Sequence, residues 1–211
     1  MTGEQMSATQ LHDEAVTLWV AGHTTVAAAL VWTCSLPAQY PEAERTLQGE
    51  LDAVLGGRHP IPQDLPHRHY TRLVVEESLR LFPPTWVTAR TPIVRDEIGG
   101  HRIPARSVLL LSPYVLHRHP AFWEDPERFD PERFTPERAI GRPRFAYFPF
   151  GGGPRRCIGQ TPAMLEMQVI LAMVAQTYGL RLAPGHPVEP DARLTLRPRH
   201  GPWGTLRHRR P

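Results

Sequence analysis

The chain has 211 residues, enough for one domain with a real hydrophobic core. At 41% hydrophobic and 21% charged residues it reads as globular rather than disordered. The formal net charge is +3, every one of the 24 basic residues is Arg, and acids are interleaved with them up to a basic stretch at 193–210; this argues against nucleic-acid binding and for a solvated face or one that meets an acidic protein.

The two cysteines, Cys34 and Cys157, lie far apart in different kinds of segment, so they suggest no disulfide framework and fit a reducing cytoplasm. The opening Met1-Thr2-Gly3-Glu4-Gln5 does not read as a signal peptide, and no segment is expected to span a bilayer.

In chain order, Ser7-Ala8-Thr9-Gln10 reads as a capping box that opens a long helix reaching Trp32. Most of its faces are apolar, which predicts burial in the core. Its centre, Gly22-His23-Thr24-Thr25, breaks that pattern with weak helix formers and polar groups. Such a break in mid-core marks a functional position, or else a Thr25 hydroxyl that bonds back to a carbonyl one turn earlier.

Pro37 stops this helix and Pro41 opens a second, over 42–55, ended by Gly56-Gly57. In the connection at 58–69, His67 and His69 read as a pair facing water. A third helix over 70–81 stops at Pro83-Pro84 and carries Glu77-Ser78-Leu79-Arg80, a pair at i, i+3. Residues 85–90 should be extended. Residues 91–112 look like β-structure, with Ile93 and Val94, a Gly99-Gly100 turn, and a strand at 108–111.

A Pro- and Arg-rich meander follows at 113–143. It holds Pro131-Glu132-Arg133-Phe134 and a similar string, Pro126-Glu127-Arg128-Phe129, that reads as a chance echo. The last long helix is expected at 158–178, with Met164, Leu165, Met167, Ile170, Leu171 and Val174 toward the core and Pro162 near its first turn. Alternation around Leu194 and Leu196 suggests a closing β-hairpin.

Before that last helix stands Phe150-Gly151-Gly152-Gly153-Pro154-Arg155-Arg156-Cys157-Ile158-Gly159. Thiolate is the metal-binding form of Cys, and Arg neighbours and a helix N-terminus both favour it. Glycines let backbone N–H groups come close to the sulfur, where hydrogen bonds tune a metal–sulfur bond. The bland alternative is a small buried hydrophobe. A phosphate loop is excluded because the chain has no Lys, and a zinc site lacks further ligands nearby.

This string resembles the haem-binding loop of the cytochrome P-450 family, and Phe150, Gly153, Arg155, Cys157 and Gly159 carry the resemblance. Ala21-Gly22-His23-Thr24-Thr25 is similar to the family's distal-helix motif, and the Glu77/Arg80 pair and Pro131–Phe134 string to its other two hallmarks. The resemblance implies a mainly α fold with small β-sheets (α+β), namely the C-terminal half of that fold from the distal long helix to the final β-hairpin. Residues 1–211 would then form a partial domain, with Met1-Thr2-Gly3-Glu4 at the loop before the distal helix.

By the same resemblance, Cys157 is the axial thiolate of a haem b iron, which favours O–O cleavage. Arg155 and Arg90 meet the haem propionates, and Phe150, Gly151, Gly153, Gly159 and Gly22 contribute to the cofactor site. Thr25 is the oxygen-activating threonine. Thr24 stands where the family has an acid, a departure that affects proton delivery. Glu77, Arg80 and Arg133 form a buried structural network, and Trp86, Val87 and Thr88 lie near substrate, with plain core packing an equal reading for Trp86.

The implied activity is a cytoplasmic monooxygenase that inserts one oxygen atom from O2 into a small apolar molecule. A ferredoxin-type partner and its reductase supply electrons, and neither nucleic acid nor membrane is involved. The alternatives are a truncated, inactive remnant, favoured by Thr24, Pro37 and Pro162, and a non-catalytic helper, disfavoured by the retained Cys157.

Overall fold

The computed structural model describes residues 5–209. Met1-Thr2-Gly3-Glu4, expected at a loop before the distal helix, and Arg210, at the end of the expected hairpin, lie outside these residues. Helix α1 spans Ala8–Ser35 and opens with the expected reciprocal capping box: Gln10 N–H donates to Ser7 Oγ (3.2 Å), and Ser7 N–H to Gln10 Oε1 (2.9 Å). Helix α2 spans Pro41–Leu55, with Pro at its first position and Gly56 in the left-handed region just beyond its end. Helix α3 spans His69–Leu81. A carboxylate from α2 caps it, since Glu50 accepts the Tyr70 and Thr71 amides and the Thr71 hydroxyl (2.7 Å).

Strand β1 (Thr88–Arg90) pairs antiparallel with β4 (Leu109–Leu111). Between them β2 (Asp96–Ile98) and β3 (His101–Ile103) form a hairpin about the Gly99-Gly100 turn. Ile93 and Val94 lie outside these strands and are exposed. Short helices α4 (Pro113–Leu116) and α5 (Pro136–Ala139) punctuate the meander. Helix α6 spans Gln160–Thr177. Pro162 occupies its third position, where its missing N–H falls among amides that have no intrahelical acceptor. Strands β5 (Tyr178–Leu182) and β8 (Gly204–His208) pair, as do β6 (Pro190–Ala192) and β7 (Leu196–Pro198). The expected single closing hairpin is therefore two two-stranded sheets. Leu196 is buried in this region, whereas Leu194 is exposed.

The core lies where α2, α3, α6 and the C-terminal half of α1 meet: Val26 and Ala29, Leu47 and Leu51, Val74 and Leu79, Met167 and Leu171. Trp32 of α1 stacks on Phe82 at 3.7 Å and donates its indole N–H to the Leu196 carbonyl (3.1 Å), which ties the C-terminal strands to the core. Leu165, expected in the core, faces water instead.

Helix α1 is not buried along its length. Residues 8–24 are exposed, including Leu11, Leu18 and Trp19, and burial begins at Thr25. The reason is length: 28 residues span about 42 Å against about 27 Å for the 18 of α6. No other described element covers the overhang. By length and composition alone, Ala8–Gln39 is long and apolar enough to cross a membrane, a test that a core helix also passes. The apolar content of its C-terminal half is accounted for by packing in the core.

One buried charge is out of pattern. Arg68, in the His67-Arg68-His69 connection, is fully buried while both histidines are exposed. It donates Nη1 to the Gln168 carbonyl (3.1 Å), but among the described residues its Nε and Nη2 have no acceptor and no carboxylate lies within salt-bridge distance. Desolvation holds its pKa below the ordinary guanidinium value. Arg68→Leu is expected to raise stability by about 1–4 kcal/mol, read as a higher urea midpoint at unchanged slope. A lower midpoint would mean that the Gln168 contact outweighs the desolvation cost.

Candidate functional site

The loop before α6 is shaped by two glycines in the left-handed region, Gly151 (φ 71°) and Gly153 (φ 68°), where a Cβ is strained. Two internal bonds close it: Gly151 N–H to the Phe148 carbonyl and Cys157 N–H to the Phe150 carbonyl, both 2.9 Å. Cys157 is exposed and sits two residues before Gly159, the N-cap of α6. The expected N–H bonds to its sulfur are absent among the described residues.

Across from this loop, α1 presents Gly22, Thr25, Val26 and Ala29 to a cavity of about 360 Å3. Cys157, Phe150, Gly151, Arg155 and Gly159 form the opposite wall. Arg90 and Thr88 of β1 complete it, with Met167 of α6. The volume is within the range of small-molecule and cofactor sites. A Cβ at Gly22 would meet no atom within 4 Å, so this face of α1 leaves the cavity open.

Not every expected residue reaches the cavity. Thr24 is exposed and points elsewhere, because the next residue, Thr25, takes the cavity-facing position on the helix. Gly153 shapes the loop without lining the cavity. Trp86 and Val87 are also outside it. The Trp86 indole N–H donates to the Arg193 carbonyl (2.8 Å), which turns that ring toward the C-terminal segment; Thr85 and Thr88 line the wall instead.

Two readings of Thr25 hold together. Its hydroxyl donates to the Ala21 carbonyl (2.6 Å), the back-bond expected of a helical Thr, and it also lines the cavity. Arg90 donates to Thr88 Oγ1 (3.0 Å) and to the Ala89 carbonyl (2.8 Å). Neither Arg90 nor Arg155 has a carboxylate partner among the described residues.

Behind the loop, away from the cavity, sits the charge network. Glu77 and Arg80 are fully buried and Arg133 nearly so. Arg80 engages Glu77 through Nε (2.7 Å) and Nη2 (2.8 Å) and sends its remaining N–H groups to the carbonyls of His117 (2.9 Å), Pro126 (2.7 Å) and Arg128 (3.1 Å). All five donors of the guanidinium are satisfied. The Pro126–Phe129 string has a structural part of its own: two of its carbonyls hold Arg80, and Phe129 is in the core. Arg133 lies 3.5 Å from Glu77 and donates to the Glu124 and Asp125 carbonyls. Burial pushes the Glu77 carboxyl pKa up, and the Arg80 fork together with the Asp130 amide (2.8 Å) opposes it.

Sequence reasoning missed His117. It is fully buried, and burial pulls its pKa down to about 3, with Arg80 and Arg118 adding like-charge repulsion. The unfolded imidazole takes a proton as pH falls through about 6.5, while the folded one refuses it until about 3. Its contribution is thus complete above 6.5 and is lost steadily down to about 3, by up to about 1.4 kcal/mol per pH unit. Between pH 7 and pH 5, the wild-type chain should lose about 2 kcal/mol more stability than His117→Gln. Parallel losses in urea titrations would show that His117 does not titrate in this window.

A soft thiol opposite a hydroxyl, on an apolar wall with two carboxylate-free arginines, defines a class of binding site. Among the described residues no group of three or more His, Cys, Asp or Glu is placed to hold a bare metal ion. A single thiol suits an iron that brings its equatorial ligands with it, and the apolar wall and the two arginines suit a flat macrocycle with anionic substituents. The frame is that of a haem-thiolate protein. Comparison with known proteins agrees, since the family model Cytochrome P-450 matches residues 1–201. The chain belongs to the cytochrome P-450 family.

Among curated relatives, it is 46% identical to cyclooctatin synthase of Streptomyces melanosporofaciens over 195 residues, 92% of this chain and 42% of that protein. It is 41% identical to cyclooctat-9-en-7-ol 5-monooxygenase of the same organism, over 87% of this chain and 40% of the relative. Among solved structures, the haem domain of cytochrome P-450DA superposes with a TM-score of 0.94 at 30% identity, covering 100% of this chain and 47% of the other. The chain spans less than half the length of these relatives.

Proposed function

We propose that this chain carries the thiolate and oxygen-side elements of a haem-thiolate monooxygenase that inserts one oxygen atom from O2 into a small apolar organic substrate. One observation carries the reading: Cys157 and Thr25, far apart in sequence, line the same mainly apolar cavity. Cys157 Sγ would bind the iron of a haem b, and Arg155 and Arg90 would hold its propionates. When bound, the haem would supply dioxygen activation, and the Cys157 thiolate would lend it the electron density that favours O–O cleavage.

The remaining work belongs to the protein. Thr25 Oγ1 donates to the Ala21 carbonyl, so it holds its proton at the edge of the cavity and accepts a further hydrogen bond there. To donate into the cavity it must release Ala21. Thr24, exposed and without an acid's proton, does not replenish it. Val26, Ala29, Phe150 and Met167 keep water out and favour an apolar substrate, with Thr88 at its margin. Electrons come from a ferredoxin-type protein and its reductase, and the setting is cytoplasmic.

The test is the absorption spectrum of the purified chain with added haem, reduced, under carbon monoxide. The strongly red-shifted Soret band of thiolate ligation is expected. Haem that remains free, or binds without that band, would overturn the assignment of Cys157.

A further inference from the structure

We infer that His117 is a positioning residue that ties the Cys157 loop to α3. It follows α4 directly and is fully buried. Its Nδ1 lies 3.3 Å from the Arg80 carbonyl, its Nε2 accepts the Phe148 N–H (2.9 Å), and its own carbonyl accepts Arg80 Nη1 (2.9 Å). With the proton on Nδ1, a neutral ring satisfies both contacts at once.

The consequence runs along the chain from Phe148. Residues 148–150 wall the cavity beside Cys157, and the Phe150 carbonyl accepts the Cys157 N–H. One imidazole therefore joins the last turn of α3, which bears Arg80, to the segment that leads into the loop. A second tie runs beside it, from the Tyr147 hydroxyl to the Glu76 carbonyl (3.0 Å). If His117 were only a packed aromatic, 5.2 Å from the Tyr147 ring and 5.4 Å from that of Phe148, phenylalanine would replace it well. If it positions the loop, phenylalanine leaves the partly buried Phe148 amide without an acceptor.

The inference deepens the proposed function, because the loop it holds is the one that carries Cys157. Its test does not need haem. Amide hydrogen exchange is measured on the full chain for wild type, His117→Phe and His117→Gln. The Phe variant should speed exchange at both Phe148 and Cys157 by about 10-fold, while amides of α2 at 47–55 change much less. The Gln variant, whose side-chain oxygen reaches toward the lost acceptor position, should restore part of the protection. A rise confined to Phe148, an equal rise in α2, or no change would overturn the inference. With haem added, the Phe variant should also show a smaller share of the thiolate Soret band. Absence of that band in wild type would sink the proposed function and leave the exchange result to decide on His117.

Discussion

Cys157→Ala should abolish the red-shifted carbon monoxide band and leave the fold almost untouched. The two halves of this expectation have separate causes. The side chain is exposed, its backbone bond to the Phe150 carbonyl does not involve the sulfur, and no described hydrogen bond reaches Sγ. Truncation therefore opens no cavity, and stability should shift by no more than about 0.5 kcal/mol. The sulfur is meanwhile the one thiol on the wall of that cavity among the described residues. Cys34, the other cysteine, cannot replace it: it lines a different, smaller cavity, and burial raises its thiol pKa to about 11. Spectra and urea melts on the same samples separate the effects. A retained band would remove Cys157 from its role, and a lost fold would show that the loop depends on the thiol for stability.

Arg80→Met should do the reverse, costing roughly 3–5 kcal/mol because Glu77 is left buried without its partner. The loss is larger than that of a surface i, i+3 pair, for which a few tenths of a kcal/mol would be typical. Arg80 also holds three carbonyls, of His117, Pro126 and Arg128, so its removal loosens the meander from α3. Adding Glu77→Gln removes the orphaned charge and should recover part of the loss, since burial already disfavours the ionised carboxylate. The measurement is a double-mutant cycle by urea denaturation. Strict additivity of the two substitutions would show that the buried pair is not coupled.

The chemistry of the site was legible wherever it depends on residues close in sequence. The Phe150–Gly159 string brings glycines with positive φ, arginines and a cysteine within ten residues, and the spacing of Glu77 and Arg80 puts both on one face of a helix. Thr25 was legible as a polar break in an apolar helix. His117 was not. It is one of 11 histidines, and its partners are a backbone carbonyl and a backbone amide, groups that every residue carries. The role of Pro126–Phe129 was hidden for the same reason, because carbonyl acceptors leave no mark on composition.

Length, the capping box, the proline stops, the helix periodicity and the cysteine loop were determined by sequence alone, because each rests on interactions between residues a few positions apart. Tertiary structure decided what distance in sequence conceals. It placed Cys157 and Thr25 on one cavity and turned Trp86 toward Arg193 and away from that cavity. It buried Arg68 between exposed histidines and left the first four turns of an apolar helix without cover. Burial depends on which elements lie against a surface, and packing assigns those neighbours only after the whole chain has folded.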